Sequence, residues 1–277
     1  MSAGTPVRAQ PAAPSPGTPG TPDERSARRG HRVGVFCAHV MWRTRVVGAS
    51  HVPTSGPVLL AANHTGVADG PVLAGVSPRA LHVLVKQEMF RGVVGSALRW
   101  MGQIPVDRDG GRTALASALG VLRAGGAVGI FPEGNRGRGD AANARAGIAW
   151  LALNGGAPVV PVAVLGTRRT GESVGHFPRL GRRFVIEFGA PLVIARAPGT
   201  SGRAALADAN EAIRVALSAL VTSAAVRHGL PLPVDAVLEP AGGPVDGPAE
   251  GSPAGTSGTA PDGPSGTAPG APGTGPA

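Results

Sequence analysis

A histidine and an aspartate five positions apart, His64 and Asp69, have the residue types and spacing of an acid–base pair. They follow an apolar run, Val58 to Ala62, which predicts a buried strand. In an ideal helix five positions turn through about 500°, which would put the two side chains on different faces. They can meet only across a turn, and Gly66 offers the backbone freedom for one. The pattern therefore predicts a strand that ends at His64, a tight turn, and a helix that begins near Asp69.

Such a pair has the parts of a general base. If the Asp69 carboxylate accepts a hydrogen bond from one ring nitrogen of His64, it fixes the tautomer and leaves the other nitrogen free to take a proton from a hydroxyl group. A structural alternative also fits, in which the histidine caps a turn and the aspartate lies at a helix N-terminus. The spacing alone leaves both alternatives open, because short motifs match by chance.

A second polar stretch, residues 128–138, also follows an apolar strand and forms a glycine-rich loop. It carries Glu133 together with Arg136 and Arg138. The guanidinium fork suits the geometry of a phosphate group, although each arginine alone also fits a solvated or structural charge. The loop is therefore a candidate phosphate site at the end of a strand.

The elements that must position these residues alternate between strand and helix. Strands are predicted near 45–52, 57–62, 81–85, 102–108, 128–131, 157–164 and 183–188, and helices near 33–44, 72–76, 93–101, 113–123, 143–153 and 204–226. This alternation predicts an α/β fold, a mixed sheet flanked by helices, with an N-terminal amphipathic helix. The apolar face of that first helix could pack on the domain or lie on a membrane.

The composition predicts one domain between two tails. Residues 1–30 and 239–277 are rich in Pro, Gly, Ala, Ser and Thr and are expected to be disordered, which leaves 31–238 as the folded domain. The net charge is +9 and the tails carry four bases and six acids, so the domain holds 22 bases against 11 acids. A basic domain suits phosphate ligands, an anionic lipid surface or nucleic acid, or simply keeps the protein soluble. Aromatic residues make up only 3% and tyrosine is absent, so no stacking platform for nucleic acid is expected.

Other features bear on the compartment. Cys37 is the single cysteine, which excludes an internal disulfide and fits a reducing cytoplasm. We expect neither a signal peptide nor a membrane-spanning helix, because the apolar run at 33–40 is much shorter than the roughly 20 residues that a span needs.

Four segments taken together resemble the motif blocks of the glycerolipid acyltransferase family, and among its members the bacterial 1-acyl-sn-glycerol-3-phosphate acyltransferases. The segments are NHTGVAD at 63–69, GQIPVDR at 102–108, FPEGNRG at 131–137 and APVVPVAV at 157–164, in the family's order. The resemblance implies that His64 is the catalytic base and Asp69 its partner. It also implies a substrate-binding set consisting of Asn63, Lys86, Arg108, Glu133, Gly134, Asn135 and Arg136. Glu133 could instead be structural and hold Arg136 in place, and Lys86 could pair with Glu88. The third block commonly reads Phe-Pro-Glu-Gly-Thr-Arg-Ser, so Asn135 and Gly137 depart from it.

The resemblance further implies transfer of a fatty acyl group from acyl-CoA or acyl carrier protein to the free hydroxyl of 1-acyl-sn-glycerol 3-phosphate, giving phosphatidic acid. No metal or cofactor is expected, because a thioester donor needs none, and the His block holds no Ser or Cys that would form an acyl-enzyme. The expected partners are the lysophospholipid, the acyl donor and an anionic membrane surface, with no nucleic acid, and the expected location is peripheral on the cytoplasmic face of the cell membrane. Alternatives are another acceptor, such as glycerol 3-phosphate, another lysophospholipid or a glycolipid, or a catalytically silent lipid-binding module.

Overall fold

The computed structural model describes residues 21–107, 111–142 and 144–235. The strands are β1 (Arg43–Val47), β2 (Val58–Ala62), β3 (Leu81–Lys86), β4 (Ile104–Val106), β5 (Ala127–Ile130), β6 (Val159–Leu165) and β7 (Arg183–Phe188). The α-helices are α1 (Glu24–Phe36), α2 (Asp69–Val76), α3 (Gly92–Trp100), α4 (Arg112–Arg123), α5 (Gly147–Gly155) and α6 (Gly202–His228). A π-helical turn, Cys37–Met41, continues α1, and short 3₁₀ turns occupy Ala49–His51 and Gln87–Met89.

The strands form one mixed seven-stranded sheet in the order β1-β7-β6-β2-β5-β3-β4. All neighbouring strands are parallel except β6 and β7. The strands β2 to β6 therefore end at the same edge of the sheet, and β1 and β7 begin there. Loops at the carboxyl ends of parallel strands are the usual place for a ligand site in such folds. We call this edge the carboxyl edge. The predicted mixed α/β sheet flanked by helices is confirmed.

Burial on both faces of the sheet explains why its central strands are apolar without alternation. Every residue of β2 and β6 is buried. In β2, Leu60 packs with α2 and the segment after α1, whereas Leu59 packs with α4 and α5. A strand with helices on both faces has no polar side to present to water, and its sequence is therefore a continuous apolar run.

The N-terminal helix begins earlier than the sequence predicts. Helix α1 starts at Glu24, so the predicted domain boundary at residue 30 is wrong, because it falls inside a helix. The Asp23 side chain caps this helix by accepting a hydrogen bond from the Ser26 N–H at 2.9 Å. The rest of the predicted tails, residues 1–20 and 239–277, lies outside the described residues.

Helix α1 packs against α2 through glycine rather than through large apolar side chains. A Cβ at Gly34 or Gly75 would overlap the backbone of the other helix, so the two backbones are in direct contact. The larger side chains Val33, Phe36 and Val40 point into solvent. Among the described residues of this segment, the small side chains face the domain and the large apolar ones are left exposed.

One helix among the described residues, α6, is long and apolar enough to cross a membrane, on length and composition only. It carries a regular buried stripe, Ala205, Ala209, Ile213, Leu217, Val221 and Ala224. Part of this stripe, from Leu217 to Ala224, packs with Leu165 of β6 and Val185 of β7. In this structure α6 lies on the sheet.

Candidate active site

The predicted turn between strand β2 and helix α2 brings His64 and Asp69 together. The Nδ1 atom of His64 lies 2.8 Å from Oδ2 of Asp69. The aspartate side chain has no exposed surface, whereas the histidine side chain keeps 15% of its surface exposed. The Nε2 atom makes no hydrogen bond with any described residue. The geometry is that of a base held by a buried carboxylate, with one nitrogen left to meet a substrate.

Further contacts of Asp69 fix the proton on the histidine. Its Oδ2 atom also accepts hydrogen bonds from the backbone N–H groups of Thr65 at 2.7 Å and Gly66 at 2.9 Å. An oxygen that accepts two backbone hydrogen bonds cannot also carry a proton toward the ring, so Nδ1 of His64 is the donor. Nε2 of a neutral ring is then the proton acceptor. The carboxylate thus holds both the histidine and the turn that presents it.

Gly66 was expected to supply unusual backbone freedom for the turn, and this expectation is wrong. Its φ is not positive, and a Cβ there would lie 3.5 Å from Thr167 O and from Cβ of Arg168, an ordinary contact distance. The useful group is its N–H, which bonds Asp69. The turn therefore depends on a backbone donor at this position rather than on left-handed freedom.

The loop after β5 holds the backbone of His64 from the other side. The Oε1 atom of Glu133 accepts a hydrogen bond from the His64 N–H at 3.1 Å, and Gly137 N–H donates to the His64 carbonyl at 2.9 Å. The Phe131 ring stacks on the imidazole with centroids 4.2 Å apart. The segment of His64 and the glycine-rich loop are thus joined by two hydrogen bonds and a ring contact.

Glu133 is an unusual carboxyl group. Its pKa is raised from 4.5 to about 7, chiefly by burial and also by the nearby Asp140 and Asp69 carboxylates, while the hydrogen bond from the His64 N–H opposes the change. Glu133 therefore titrates near neutral pH. This side chain, predicted to bind substrate, holds the backbone of His64 in the structure.

The side chain of Asn63 connects two strands of the sheet. Its side chain is fully buried and clamps β6: Oδ1 accepts a hydrogen bond from Val164 N–H at 2.7 Å, and Nδ2 donates to Val164 O at 3.2 Å. The predicted substrate contact is not seen, because the amide is occupied by backbone and shielded from solvent. Asn63 instead fixes where β2 ends relative to β6, and so where His64 emerges.

Three other predicted residues lie together at the carboxyl edge. Lys86, at the end of β3, donates from Nζ to Oδ1 of Asn135. Gly134 precedes that asparagine with φ of +72°, and a side chain there would collide with the guanidinium of Arg145. The structure thus brings the only lysine of the chain to the glycine-rich loop, and the turn at Gly134 requires glycine.

Arg136 is a half-buried cation with spare donors. Its Nε is buried and has no hydrogen-bond partner among the described residues. Burial lowers the pKa of its guanidinium, and the nearby Asp69 carboxylate opposes that change. A guanidinium stays charged under such conditions, so a donor without a partner among the described residues lies near His64 and Asp69. The remaining predicted residue, Arg108, lies outside the described residues.

Arg168 belongs to the site although the sequence reasoning did not single it out. Its side chain is buried and donates to Gly137 O at 3.1 Å, to Glu172 O at 2.8 Å and to Oδ2 of Asp235 at 2.6 Å. Beside it, the Thr167 hydroxyl meets the Thr65 hydroxyl at 2.8 Å. The sequence feature that could have indicated Arg168 is its position three residues after the apolar strand β6, at the same edge of the sheet as His64.

These groups support proton transfer from a hydroxyl rather than attack by a protein nucleophile. Among the described residues, the side chains that hydrogen-bond to or stack on the His64 ring are those of Asp69 and Phe131, neither of which is a hydroxyl or thiol. No group of three or more His, Cys, Asp or Glu that could hold a metal occurs within 21–107, 111–142 and 144–235.

Comparison with known proteins shows which protein family the chain resembles. Residues 43–165 match the Acyltransferase family. The chain is 31% identical over 141 residues to the 1-acyl-sn-glycerol-3-phosphate acyltransferase of Bacillus subtilis, covering 47% of this chain and 70% of that protein. It is 32% identical over 127 residues to the enzyme of the same name from Borreliella burgdorferi, covering 44% of this chain and 51% of that one.

A solved structure shows the same fold. The 1-acyl-sn-glycerophosphate (LPA) acyltransferase PlsC from Thermotoga maritima superposes with a TM-score of 0.53 at 19% identity, over 70% of this chain and 79% of that one. Together with the sequence matches and the buried His64–Asp69 pair, this shows that the chain belongs to the acyltransferase family that includes the 1-acyl-sn-glycerol-3-phosphate acyltransferases.

Proposed function

We propose that the protein transfers a fatty acyl group from acyl-CoA or acyl carrier protein to the free hydroxyl of 1-acyl-sn-glycerol 3-phosphate, giving phosphatidic acid. The observation that carries this proposal is the Nε2 atom of His64, which makes no hydrogen bond with a described residue while its ring is fixed by Asp69 near the cation of Arg136. The relatives from Bacillus and Borreliella are named for an acyltransferase acting on 1-acyl-sn-glycerol 3-phosphate, and they support this acceptor.

In the proposed reaction, Nε2 of His64 removes the proton of the acceptor hydroxyl as its oxygen attacks the thioester carbonyl. The C–O bond forms and the C–S bond breaks, and the leaving thiolate takes the proton from the imidazolium. Asp69 stabilises the imidazolium without giving up its backbone hydrogen bonds. The reaction needs no cofactor, since the acceptor supplies the proton and the thioester supplies the acyl group.

The acceptor phosphate is expected to bind the basic groups of the carboxyl edge. Arg136 has a donor with no protein partner, and the Lys86 ammonium has two hydrogens beyond the one given to Asn135. Arg108, predicted for the same role, ends the sequence block at 102–108 that contains β4. Charge-assisted contacts to a phosphate would orient the glycerol hydroxyl toward His64.

The test is acyl transfer from labelled acyl-CoA or acyl carrier protein to a panel of acceptors. We expect label in phosphatidic acid, and a loss of at least about 100-fold in turnover for His64→Ala, the low end for a missing general base. His39→Ala, which alters an exposed histidine without described contacts, is the matched control. Unchanged turnover in His64→Ala would refute the mechanism.

The Arg136 role is tested separately. Arg136→Ala should raise the Michaelis constant for a phosphate-bearing acceptor more than it lowers turnover, because the contact is made in both ground and transition states. Arg138→Ala is the comparison, since that exposed arginine lies 3.6 Å from Asp140 and has its own partner. An equal loss on an acceptor without phosphate would count against a phosphate contact.

A second candidate keeps the chemistry and changes the acceptor. Asn135 and Gly137 differ from the common third block, and Asn135 carries the contact with Lys86. Glycerol 3-phosphate, another lysophospholipid or a glycolipid would then receive the acyl group. The acceptor panel decides between these and 1-acyl-sn-glycerol 3-phosphate.

We also propose that the enzyme works on the cytoplasmic face of the cell membrane as a peripheral protein. Exposed apolar side chains on two helices support this, Phe36 on α1 and Val93 on α3 among them. The two helices are joined where the Arg29 guanidinium lies 5.1 Å from the Trp100 ring centroid. Phe36→Ser combined with Val93→Ser should weaken flotation with liposomes, and unchanged flotation would remove these helices from the docking surface.

A further inference from the structure

The loop that joins β6 to β7, residues 166–182, forms a basic pocket outside the catalytic pair. The pocket has a volume of about 430 Å³ and is lined by Arg169, Glu172, His176, Arg179, Leu180, Gly181 and Arg182. Because β6 ends and β7 begins at the carboxyl edge, the pocket lies on the same edge of the sheet as His64. None of its lining residues belongs to the site described above for the acceptor.

The charges in this pocket do not cancel. Glu172 is the one carboxylate among the lining residues. Its Oε2 atom accepts hydrogen bonds from Nη1 of Arg182 at 2.9 Å and from the backbone N–H of Arg169 at 2.9 Å. The guanidinium groups of Arg169 and Arg179 make no hydrogen bond or ion pair with any described residue. Two exposed, unpaired guanidinium groups around one pocket are the donors that a phosphate group prefers.

Two large apolar side chains stand beside these arginines. Phe177 is 57% exposed and Leu180 is 71% exposed. Exposed apolar side chains next to unpaired arginines are unusual on a surface that meets only water, and they match the boundary between lipid headgroups and acyl chains.

Contacts with the segment after α1 hold this loop in place. Burying Phe177 and Leu180 in the domain would require breaking these contacts. Trp42 donates from its indole N–H to Pro178 O at 3.3 Å and packs its ring 5.4 Å from that of Phe177. Gly181 N–H donates to Met41 O at 2.7 Å. Through these contacts the loop adjoins the segment after α1, where Val40 is also exposed.

We propose that the loop at 169–182 binds the phosphate headgroup of an anionic membrane phospholipid between Arg169 and Arg179, with Leu180 and Phe177 inserted among the acyl chains. The inference rests on the proposed function, because it supplies a docking contact to an enzyme whose substrates are lipids. It adds a headgroup site that is separate from the substrate phosphate at Arg136. Nucleic acid fits this surface less well, because Phe177 is its one exposed aromatic ring and bases would need several.

The test uses the full chain and vesicles without substrate, either phosphatidylcholine alone or phosphatidylcholine mixed with phosphatidylglycerol. Arg179→Gln should weaken binding to the mixed vesicles by about five-fold, the effect of one basic residue near an anionic surface. Leu180→Ser should weaken binding to both kinds of vesicle. Both positions are exposed, so neither change disturbs the core.

Arg123→Gln is the matched control. Arg123 is equally exposed and unpaired among the described residues, but it ends α4 directly before β5 and so lies at the opposite edge of the sheet. Its loss changes the net charge by the same amount and should leave vesicle binding unchanged. Equal effects of the two arginine changes, or no effect of either, would overturn the proposal. A larger loss of nucleic-acid binding than of vesicle binding in Arg179→Gln would also overturn it.

An activity measurement separates this inference from the proposed function. With a short-chain acceptor dissolved as monomers, Arg179→Gln should keep wild-type turnover, and with acceptor in mixed vesicles it should lose activity in proportion to binding. A loss with the dissolved acceptor would place Arg179 in the substrate site and overturn the headgroup assignment. If the wild type transfers acyl groups to no acceptor, the proposed function fails while the vesicle-binding comparison still decides this one.

Discussion

The buried carboxyl group of Glu133 makes the stability of the protein depend on pH in a direction that can be worked out. In the folded protein burial raises the pKa of this group from 4.5 to about 7. Between these two pH values the unfolded chain has lost the proton while the folded protein still holds it. The folded state then binds more protons, so the free energy of unfolding falls as pH rises.

The magnitude follows from the two pKa values. The gap between 4.5 and about 7 corresponds to about 3 kcal/mol, at about 1.4 kcal/mol for each tenfold change in proton affinity. The proton bound to Glu133 makes its full contribution to the free energy of unfolding below pH 4.5. This contribution is lost as the pH rises to about 7, and above that pH the free energy of unfolding no longer depends on this group. Relative to a residue that cannot ionise, Glu133 therefore costs about 3 kcal/mol of stability at pH 8.

The perturbation that isolates this effect is Glu133→Gln. The amide oxygen of glutamine can still accept the hydrogen bond from the His64 N–H, but the side chain cannot ionise. We expect the stability of the variant, relative to wild type, to rise by about 3 kcal/mol between pH 4.5 and pH 8. Urea denaturation at a series of pH values measures this difference, since groups common to both proteins cancel.

The control is Glu211→Gln on α6. Hydrogen bonding to Arg214 lowers the pKa of that exposed carboxyl group, so its replacement should not reproduce the rise. If wild type and Glu133→Gln keep a constant stability difference across the pH range, Glu133 is not held protonated, and the account of its burial is wrong.

Three further predictions concern the geometry around the site. Asp69→Asn should lower the turnover of acyl transfer by about 100- to 10,000-fold, because the ring of His64 loses its fixed tautomer; assay with a dissolved acceptor tests this, and full turnover would contradict it. Arg168→Gln should lower the free energy of unfolding by about 1 to 3 kcal/mol, because the Gly137 and Glu172 carbonyls lose their buried donor, and should lower turnover because the loop that holds His64 loses this support; unchanged stability in urea denaturation would show that these hydrogen bonds are not needed. Gly75→Ala should cost about 1 to 3 kcal/mol of stability, because a Cβ there overlaps the backbone of α1; thermal unfolding measures it, and no change would mean that the helices separate freely.

The contact between His64 and Asp69 was predictable because every step that leads to it is local in the sequence. An apolar strand, a turn and a helix start together bring His64 within 2.8 Å of Asp69, and all three are encoded between residues 58 and 76. The order of strands and helices was predictable for the same reason, since each element has its own period of apolar residues.

The start of α1 was missed because its buried side is made of small residues. Ser26, Ala27, Gly30 and Gly34 face the domain, and in a sequence such residues resemble a disordered, polar segment. A helix signal was present in Asp23, whose carboxylate caps the N–H three positions later. Glycine in a helix normally indicates instability, and only the contact with α2 reverses that expectation.

The roles of Asn63 and Arg168 could not be predicted because their partners are distant in sequence. Asn63 bonds a backbone 101 positions away, and Arg168 joins two segments 31 positions before it and 67 after it. A motif shows which residue types stand near the chemistry, but it does not show which of them serve the fold. Burial decides this for Asn63, whose amide is fully used by Val164.

The two departures from the common third block now have different physical meanings. Gly137 acts through its backbone, because its N–H holds the His64 carbonyl and its own carbonyl is held by Arg168. The loss of a hydroxyl at this position therefore leaves the support of the histidine intact. Asn135 acts through its side chain, whose Oδ1 atom accepts a hydrogen bond from the Lys86 ammonium. A different side chain there would place this cation elsewhere, so position 135, rather than 137, is where a change of acceptor would be encoded.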